Sequence, residues 1–329
     1  MQHPLDRPVV IGAGPVGSAV VEALTGLGAQ PVVVTRTPGG AHHIGGNVTH
    51  RVGDVSTSEG AVAAIGQATA VFQCSQPPYH RWTEQFRSQQ DAILAACERR
   101  SAVLVAVENV YGYGPVDHVM TETTPLGRAG SPGATRKGVV RAEAWRDLER
   151  AHRAGRVACG AVRASDFVGP GVCQSVIGER FLRPILVGRP AEVLGPLGVR
   201  HSLTAPADVG RAMVAVAEHD DARGRAWHAP TAPARTIAEV LELATTAARS
   251  HGASGTGRTR RLRPSLLRFA GLFDRSAGEL VEMLYQFDRD FIVDSTETER
   301  RFGLEPIPLE RSIDDAVAWF AGRSSLVTR

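Results

Sequence analysis

The sequence predicts an α/β fold: a doubly wound parallel sheet with a smaller, mostly helical region completing the chain. Three observations lead there. Short apolar runs alternate with helix-length segments through the N-terminal half. A glycine-rich turn joins the first apolar run to the first of those segments. Beyond residue 173 the pattern shifts towards helices and loops. Strands separated by helices of this length make βαβ units, and their parallel sheet is buried on both faces.

Taken in order, the strands are expected at residues 8–11 (PVVI), 31–35 (PVVVT), 47–52 (NVTHRV), 70–74 (AVFQC), 102–107 (AVLVAV) and 157–162 (VACGAV). Each is a short apolar or β-branched run. Helices are expected between them at 18–27, 58–65, 86–100 and 139–154. In the second half, 207–219 reads as a helix and 226–228 as a short strand. Thr236-Ile-Ala-Glu239 is a capping-box pattern that opens a helix running towards Arg249. The stretch 250-SHGASGTGRTRRLRP-264 is rich in Gly, Ser and Arg and reads as an exposed, solvated loop. Further helices are expected at 276–287, 295–302 and 310–321.

The most informative local pattern is 9-VVIGAGPVGSAVVEALTGLG-28. Gly12, Gly14 and Gly17 fit G-x-G-x-x-G, with an apolar strand before them and an amphipathic helix after. Glycine permits the tight turn and lets the backbone approach a pyrophosphate seated on the helix N-terminus. This makes the sheet a Rossmann type and predicts dinucleotide binding. At the end of the second strand, where an acid would bind a ribose 2′-hydroxyl, the chain has Thr35-Arg36. Arg36 suits the 2′-phosphate of NADP, with NAD the other possibility; a plain surface arginine is the competing reading. Asp54, after the third strand, is placed either to accept from an adenine amino group or to cap a turn.

Composition narrows the partners. Of 329 residues 43% are hydrophobic, an ordinary share for a globular chain. Lys+Arg total 37 against Asp+Glu 34, a net charge of +3 that gives no reason to expect nucleic acid. The four cysteines, Cys74, Cys97, Cys159 and Cys173, form no CxxC pair, and no histidine cluster has zinc spacing, so neither a metal nor a disulfide is expected. The apolar runs are far too short to span a bilayer, and the chain enters a strand almost at once. A cytoplasmic protein acting on a small molecule is the expectation.

Several segments resemble the extended short-chain dehydrogenase/reductases of the NAD-dependent epimerase/dehydratase type. They are 105-VAVENVYGYGPV-116, 163-RASDFVGPGV-172, 200-RHSLTAPADVGRAMVAV-216 with 235-RTIAEVLEL-243, and 290-DFIVDSTETERRFGLEPIPLERSIDDAVAWF-320. The resemblance spans nearly the whole chain. It implies a nucleotide-binding part at 1–173 with 191–230 completing the sheet, a substrate-binding region at 174–190 and 231–329, and a homodimer through two helices. It also implies a catalytic Ser/Thr, Tyr and Lys. Lys137 in 129-AGSPGATRKGVVRAEAW-145 matches the lysine, which binds the nicotinamide ribose. The tyrosine position is Gly133 and the Ser/Thr position is Val107, so the chain is similar to an atypical member.

Proton transfer by a positioned acid contributes about 10²–10⁴-fold, and Gly133 and Val107 supply none of it. Three substitutes are candidates. Strand alternation puts Asn109 on the side of Val107, placed to orient substrate or water, and points Glu108 the other way. Tyr111 and Tyr113 follow; a cation such as Lys137 would be needed for either to act as an acid near neutrality. Asp166 falls where the resemblance places a substrate-side polar group. His201 reads as pocket-lining or as a surface histidine, and Tyr79 and Trp82 as packing on the loop beside the cofactor.

The activity that follows is that of an NADP-dependent oxidoreductase or epimerase on a small polar or natural-product-like alcohol or ketone. An isomerase, cyclase or dehydratase with no net redox, and a non-catalytic NADP-binding sensor, are the alternatives.

Overall fold

The computed structural model describes residues 3–41, 44–262 and 281–327. The strands are β1 (Pro8–Ile11), β2 (Val32–Thr35), β3 (Thr49–Val52), β4 (Ala70–Gln73), β5 (Val103–Asn109), β6 (Cys159–Ala164), β7 (Asp166–Phe167), β8 (Ala191–Val193), β9 (Arg200–His201), β10 (Leu203–Thr204), β11 (Ala226–His228), β12 (Arg235–Thr236) and β13 (Thr259–Arg261). The helices are α1 (Pro15–Gly26), α2 (Ser58–Ile65), α3 (Trp82–Arg100), α4 (Arg136–Arg153), α5 (Glu179–Leu186), α6 (Pro206–Glu218), α7 (Ile237–Ser250), α8 (Thr296–Phe302) and α9 (Leu309–Val327).

Seven strands form one parallel sheet in the order β11-β6-β5-β4-β1-β2-β3. The chain winds outwards from β1 in both directions, so a crevice opens at the carboxyl ends of β1 and β4. Side-chain alternation buries both faces. Val9, Ile11, Leu104 and Ala106 join α2, α3 and α4 in one core, while Val10, Phe72, Val105 and Val162 join α1 and α6 in another. The α1–α6 approach is close: a Cβ at Gly210 would lie 2.6 Å from the backbone of Ala19. A third core unites α5, α7 and α9 through Phe181, Ile185, Val240, Ala244, Ile313 and Phe320.

The expected strands and helices of the sheet are present, with ends shifted. α1 starts at Pro15, whose fixed φ and missing N–H suit the first helical turn. Part of the 250–264 stretch is not loop: Thr259–Arg261 pairs in parallel with Ala191–Val193, although most of these residues remain exposed. Only the end of the helix expected at 276–287 falls among the described residues, as a 3₁₀ turn over Leu284–Phe287. Among the described residues no helix is long and apolar enough to cross a membrane.

The capping box at Thr236 is complete. Its hydroxyl accepts from the Glu239 N–H at 3.2 Å, and the Glu239 carboxylate accepts from the Thr236 N–H at 2.8 Å. Replacing Thr236 by Ala should destabilise the protein by about 1 kcal/mol, read as a lower urea midpoint with an unchanged slope.

Candidate functional site

The site is built at the carboxyl edge of the sheet, and the glycine turn forms its floor. Gly12 ends β1 at φ +103°, and a Cβ there would lie 3.0 Å from Cys74 and Ser75. At Gly17 a Cβ would stand 2.0 Å from the carbonyl oxygen of Gly12, so this glycine lets the helix sit against the strand end. Gly14 is different: a Cβ there meets nothing within 4 Å. A cavity of about 850 Å³ opens beside this turn, lined among others by Gly14, Pro15, Gly169, Pro206, Arg311 and Trp319. Open space at the N-terminus of α1, flanked by two glycines with no room for a side chain, fits a dinucleotide pyrophosphate.

Arg36 follows β2 and Asp54 follows the neighbouring β3, so they share one end of the crevice. The Asp54 carboxylate accepts from the Ser56 N–H at 3.0 Å. That bond, a second one from the Ser56 side chain and the charge of Arg36 hold it below the usual carboxylate range. Asp54 therefore closes a turn and also faces Arg36.

Lys137 lies in the first turn of α4, whose N-cap is Thr135; the Thr135 hydroxyl accepts from the Gly138 N–H at 3.0 Å. The lysine is no surface residue. It is 1% exposed, with its ammonium 4.2 Å from the centre of the Tyr79 ring and 3.9 Å from Glu282 Oε1. The Glu282 carboxylate also accepts from the backbone N–H of Arg136 at 3.2 Å and of Lys137 at 3.3 Å. Gly133 has φ +73°, and a Cβ there would lie 2.5 Å from Pro115 Cγ. The backbone has thus closed over the position at which the resemblance expects a tyrosine.

Tyr111 and Asp166 gather with Lys137 around Tyr79 and Tyr285. Burial raises the Tyr111 hydroxyl well above its ordinary range, and the negative charge of Asp166 and the presence of Tyr79 and Tyr285 add to this. Tyr285 is pushed up for the same reasons, burial first and then the charges of Asp166 and Glu282. Both phenols stay protonated. The Asp166 carboxylate is 2.9 Å from His201 Nε2, and His201 is fully buried.

The other two candidates are engaged elsewhere. Asn109 Oδ1 accepts from the Tyr111 N–H at 3.2 Å and so caps the 3₁₀ turn over Val110–Tyr113. Tyr113 accepts from Arg163 at 2.9 Å and bonds to His228 Nε2 at 2.7 Å. His228 Nδ1 donates to the Asp294 carbonyl at 2.7 Å, which leaves Nε2 as the acceptor for the Tyr113 hydroxyl. Glu108 points away from the crevice, as alternation requires, and pairs with Arg141 at 3.1 Å. Trp82 packs against Tyr79 and Phe86. Sequence reasoning did not single out Glu282 and Tyr285; they stand in ELVEMLYQF, where no pattern marks them. Among the described residues no cluster of His, Cys, Asp and Glu assembles a metal site.

The family model described as NAD dependent epimerase/dehydratase family matches residues 9–228. No curated protein sequence matches. Among solved structures, MoeE5 in complex with UDP-glucose and NAD is 22% identical, with 97% of this chain and 99% of that chain covered and a TM-score of 0.73. A UDP-glucose 4-epimerase from Thermotoga maritima with UDP-glucose is 17% identical, with 97% and 99% covered and a TM-score of 0.75. The dTDP-glucose 4,6-dehydratase DesIV (a double mutant) from Streptomyces venezuelae with NAD is 16% identical, with 97% and 98% covered and a TM-score of 0.75. At these identities the likeness carries the fold.

Proposed function

The chain belongs to the NAD dependent epimerase/dehydratase family, and from that premise we propose that it is an NADP-dependent oxidoreductase or epimerase with an atypical active site. Its substrate is a small polar alcohol or ketone, with the sugar of a nucleoside diphosphate sugar as the leading class. The observation that carries this reading is Lys137, buried beside Tyr79 at the start of α4 while the glycine turn faces open space. A lysine that is 1% exposed belongs to a built site. Residues 12–17 would hold the pyrophosphate, Arg36 the adenosine end and Lys137 the nicotinamide ribose. A bound nicotinamide supplies hydride transfer; the chain's part is to orient the substrate, exclude water and handle the accompanying proton.

The nucleotide is placed on residues 1–173 with 191–230, and the substrate among 174–190 and 231–329. Tyr285 and Glu282, from the second set, meet Asp166 and Lys137 from the first, which supports that division. A homodimer is the proposed assembly. Solved relatives named above carry NAD, so NAD is the competing cofactor. Gly133 favours one alternative: with no room for the tyrosine, an isomerase, cyclase or dehydratase that ends with its cofactor unchanged is the second reading.

Arg36→Ala separates the cofactors. A charge-assisted hydrogen bond is worth about 1.5–3 kcal/mol, so NADPH affinity should fall roughly 10- to 100-fold while NADH affinity barely moves. Equal weakening of both would remove Arg36 as a phosphate ligand.

A further inference from the structure

We infer that Asp166, held by His201, is the catalytic residue that exchanges the substrate proton in this site. The inference rests on the reading just given and names the group that replaces the absent tyrosine.

His201 is built as a fixed support. Its ring stacks with Phe287, at 5.3 Å and 13°, and with Phe291, at 5.2 Å and 25°. It is fully buried, and Nδ1 has no hydrogen-bond partner among the described residues. A neutral imidazole carries one N–H, and the Asp166 carboxylate is the acceptor within reach. The proton therefore sits on Nε2 and is donated to Asp166 Oδ2, 2.9 Å away. One carboxylate oxygen is anchored from behind, and Oδ1 is left for the substrate side. The Asp166 side chain keeps 15% of its surface exposed, unlike the histidine behind it.

The position is also right. Asp166 lies two residues beyond the end of β6, at the carboxyl edge of the sheet, and its charge reaches the Tyr111 and Tyr285 hydroxyls. Other groups are committed to different partners. The two phenols remain protonated, Tyr113 is bonded at its hydroxyl to Arg163 and His228, and Glu282 is held by two backbone amides beside Arg136 and Lys137.

With an oxidised nicotinamide bound to take the hydride from the substrate's carbinol carbon, the O–H bond would break, its electron pair would form the C=O bond, and Asp166 Oδ1 would take the proton. In the reverse direction Asp166 returns the proton to the carbonyl oxygen. His201 is a positioning residue.

Two arms test this on the full chain saturated with NADP. The first needs no substrate: histidine-selective nitrogen NMR should find the His201 proton on Nε2, and a proton on Nδ1 would overturn the assignment. The second uses UDP-glucose as the probe and follows nicotinamide absorbance and product. Asp166→Asn should lower kcat by about 10²–10⁴-fold with KM and NADP affinity unchanged, and His201→Gln should lower kcat by a smaller factor, again with KM unchanged. Full turnover in Asp166→Asn, an effect on KM alone, or a loss that falls on Glu282→Gln instead would overturn it. If the wild-type chain binds NADP but leaves UDP-glucose untouched, the substrate class fails, and the NMR arm still decides the pair.

Discussion

Gly17→Ala is expected to lose nucleotide binding together with stability. The added Cβ would stand 2.0 Å from the carbonyl oxygen of Gly12, a backbone atom with nowhere to go. Either α1 lifts from β1 or the turn opens, and overpacking of this kind costs about 1–3 kcal/mol or more. Gly14→Ala makes the same chemical change where nothing lies within 4 Å. Gly14 has φ −73°, so alanine adopts its backbone without strain. The cost there is limited to the poorer helix cap, about 1 kcal/mol or less. Gly14→Ala should therefore fold, yet bind NADP more weakly, because its methyl group occupies the space given to the pyrophosphate. Thermal unfolding and nucleotide titration of the two variants side by side make the check. Wild-type affinity in Gly14→Ala would mean that the open space is not the nucleotide's.

Arg141→Met has the second large effect. Arg141 and Glu108 are each 3% exposed and pair at 3.1 Å between α4 and β5, with the guanidinium 4.3 Å from the Phe86 ring centre. Removing the arginine leaves a buried carboxylate without its main partner, which costs about 3–5 kcal/mol. Burial already raises the Glu108 carboxyl, opposed by the charges of Arg141 and Arg163. A carboxyl whose folded pKa is raised contributes its stability below the unfolded pKa and loses it as pH rises through the folded value. The deficit of Arg141→Met should accordingly shrink on acidification and grow towards neutral pH. Replacing Glu108 by Leu in the same chain should recover most of the loss, since a well-packed apolar pair is often as stable as the ion pair. Urea titrations across pH measure all three; a deficit independent of pH would mean that lost packing, not the stranded charge, is responsible.

The sheet was legible because its signal is local. Val9, Val10 and Ile11 are buried in succession, as a strand covered on both faces demands, and the glycines that follow have one turn to make. The two- and three-residue ladders of β7 to β10, β12 and β13 carry no such signal; three residues are too few to show a period, and the basic composition of 250–264 masked the β8–β13 pairing. The candidate site was legible in part. Lys137, Tyr111 and Asp166 were singled out from their positions at strand and helix ends, and the fold brings them together. Tyr113 separates from Tyr111 because β5 stops at Asn109 and the 3₁₀ turn rotates the next side chains, so two residues apart no longer means the same side. Glu282 reaches Lys137 from 145 residues away, a contact that only the packed chain creates.

The account stands on the glycine turn as a nucleotide cradle. Isothermal titration of NADP and of NAD into the wild-type chain tests this most directly. The account predicts saturable heat from one equivalent of NADP and a weaker response to NAD; no heat from either nucleotide would contradict it.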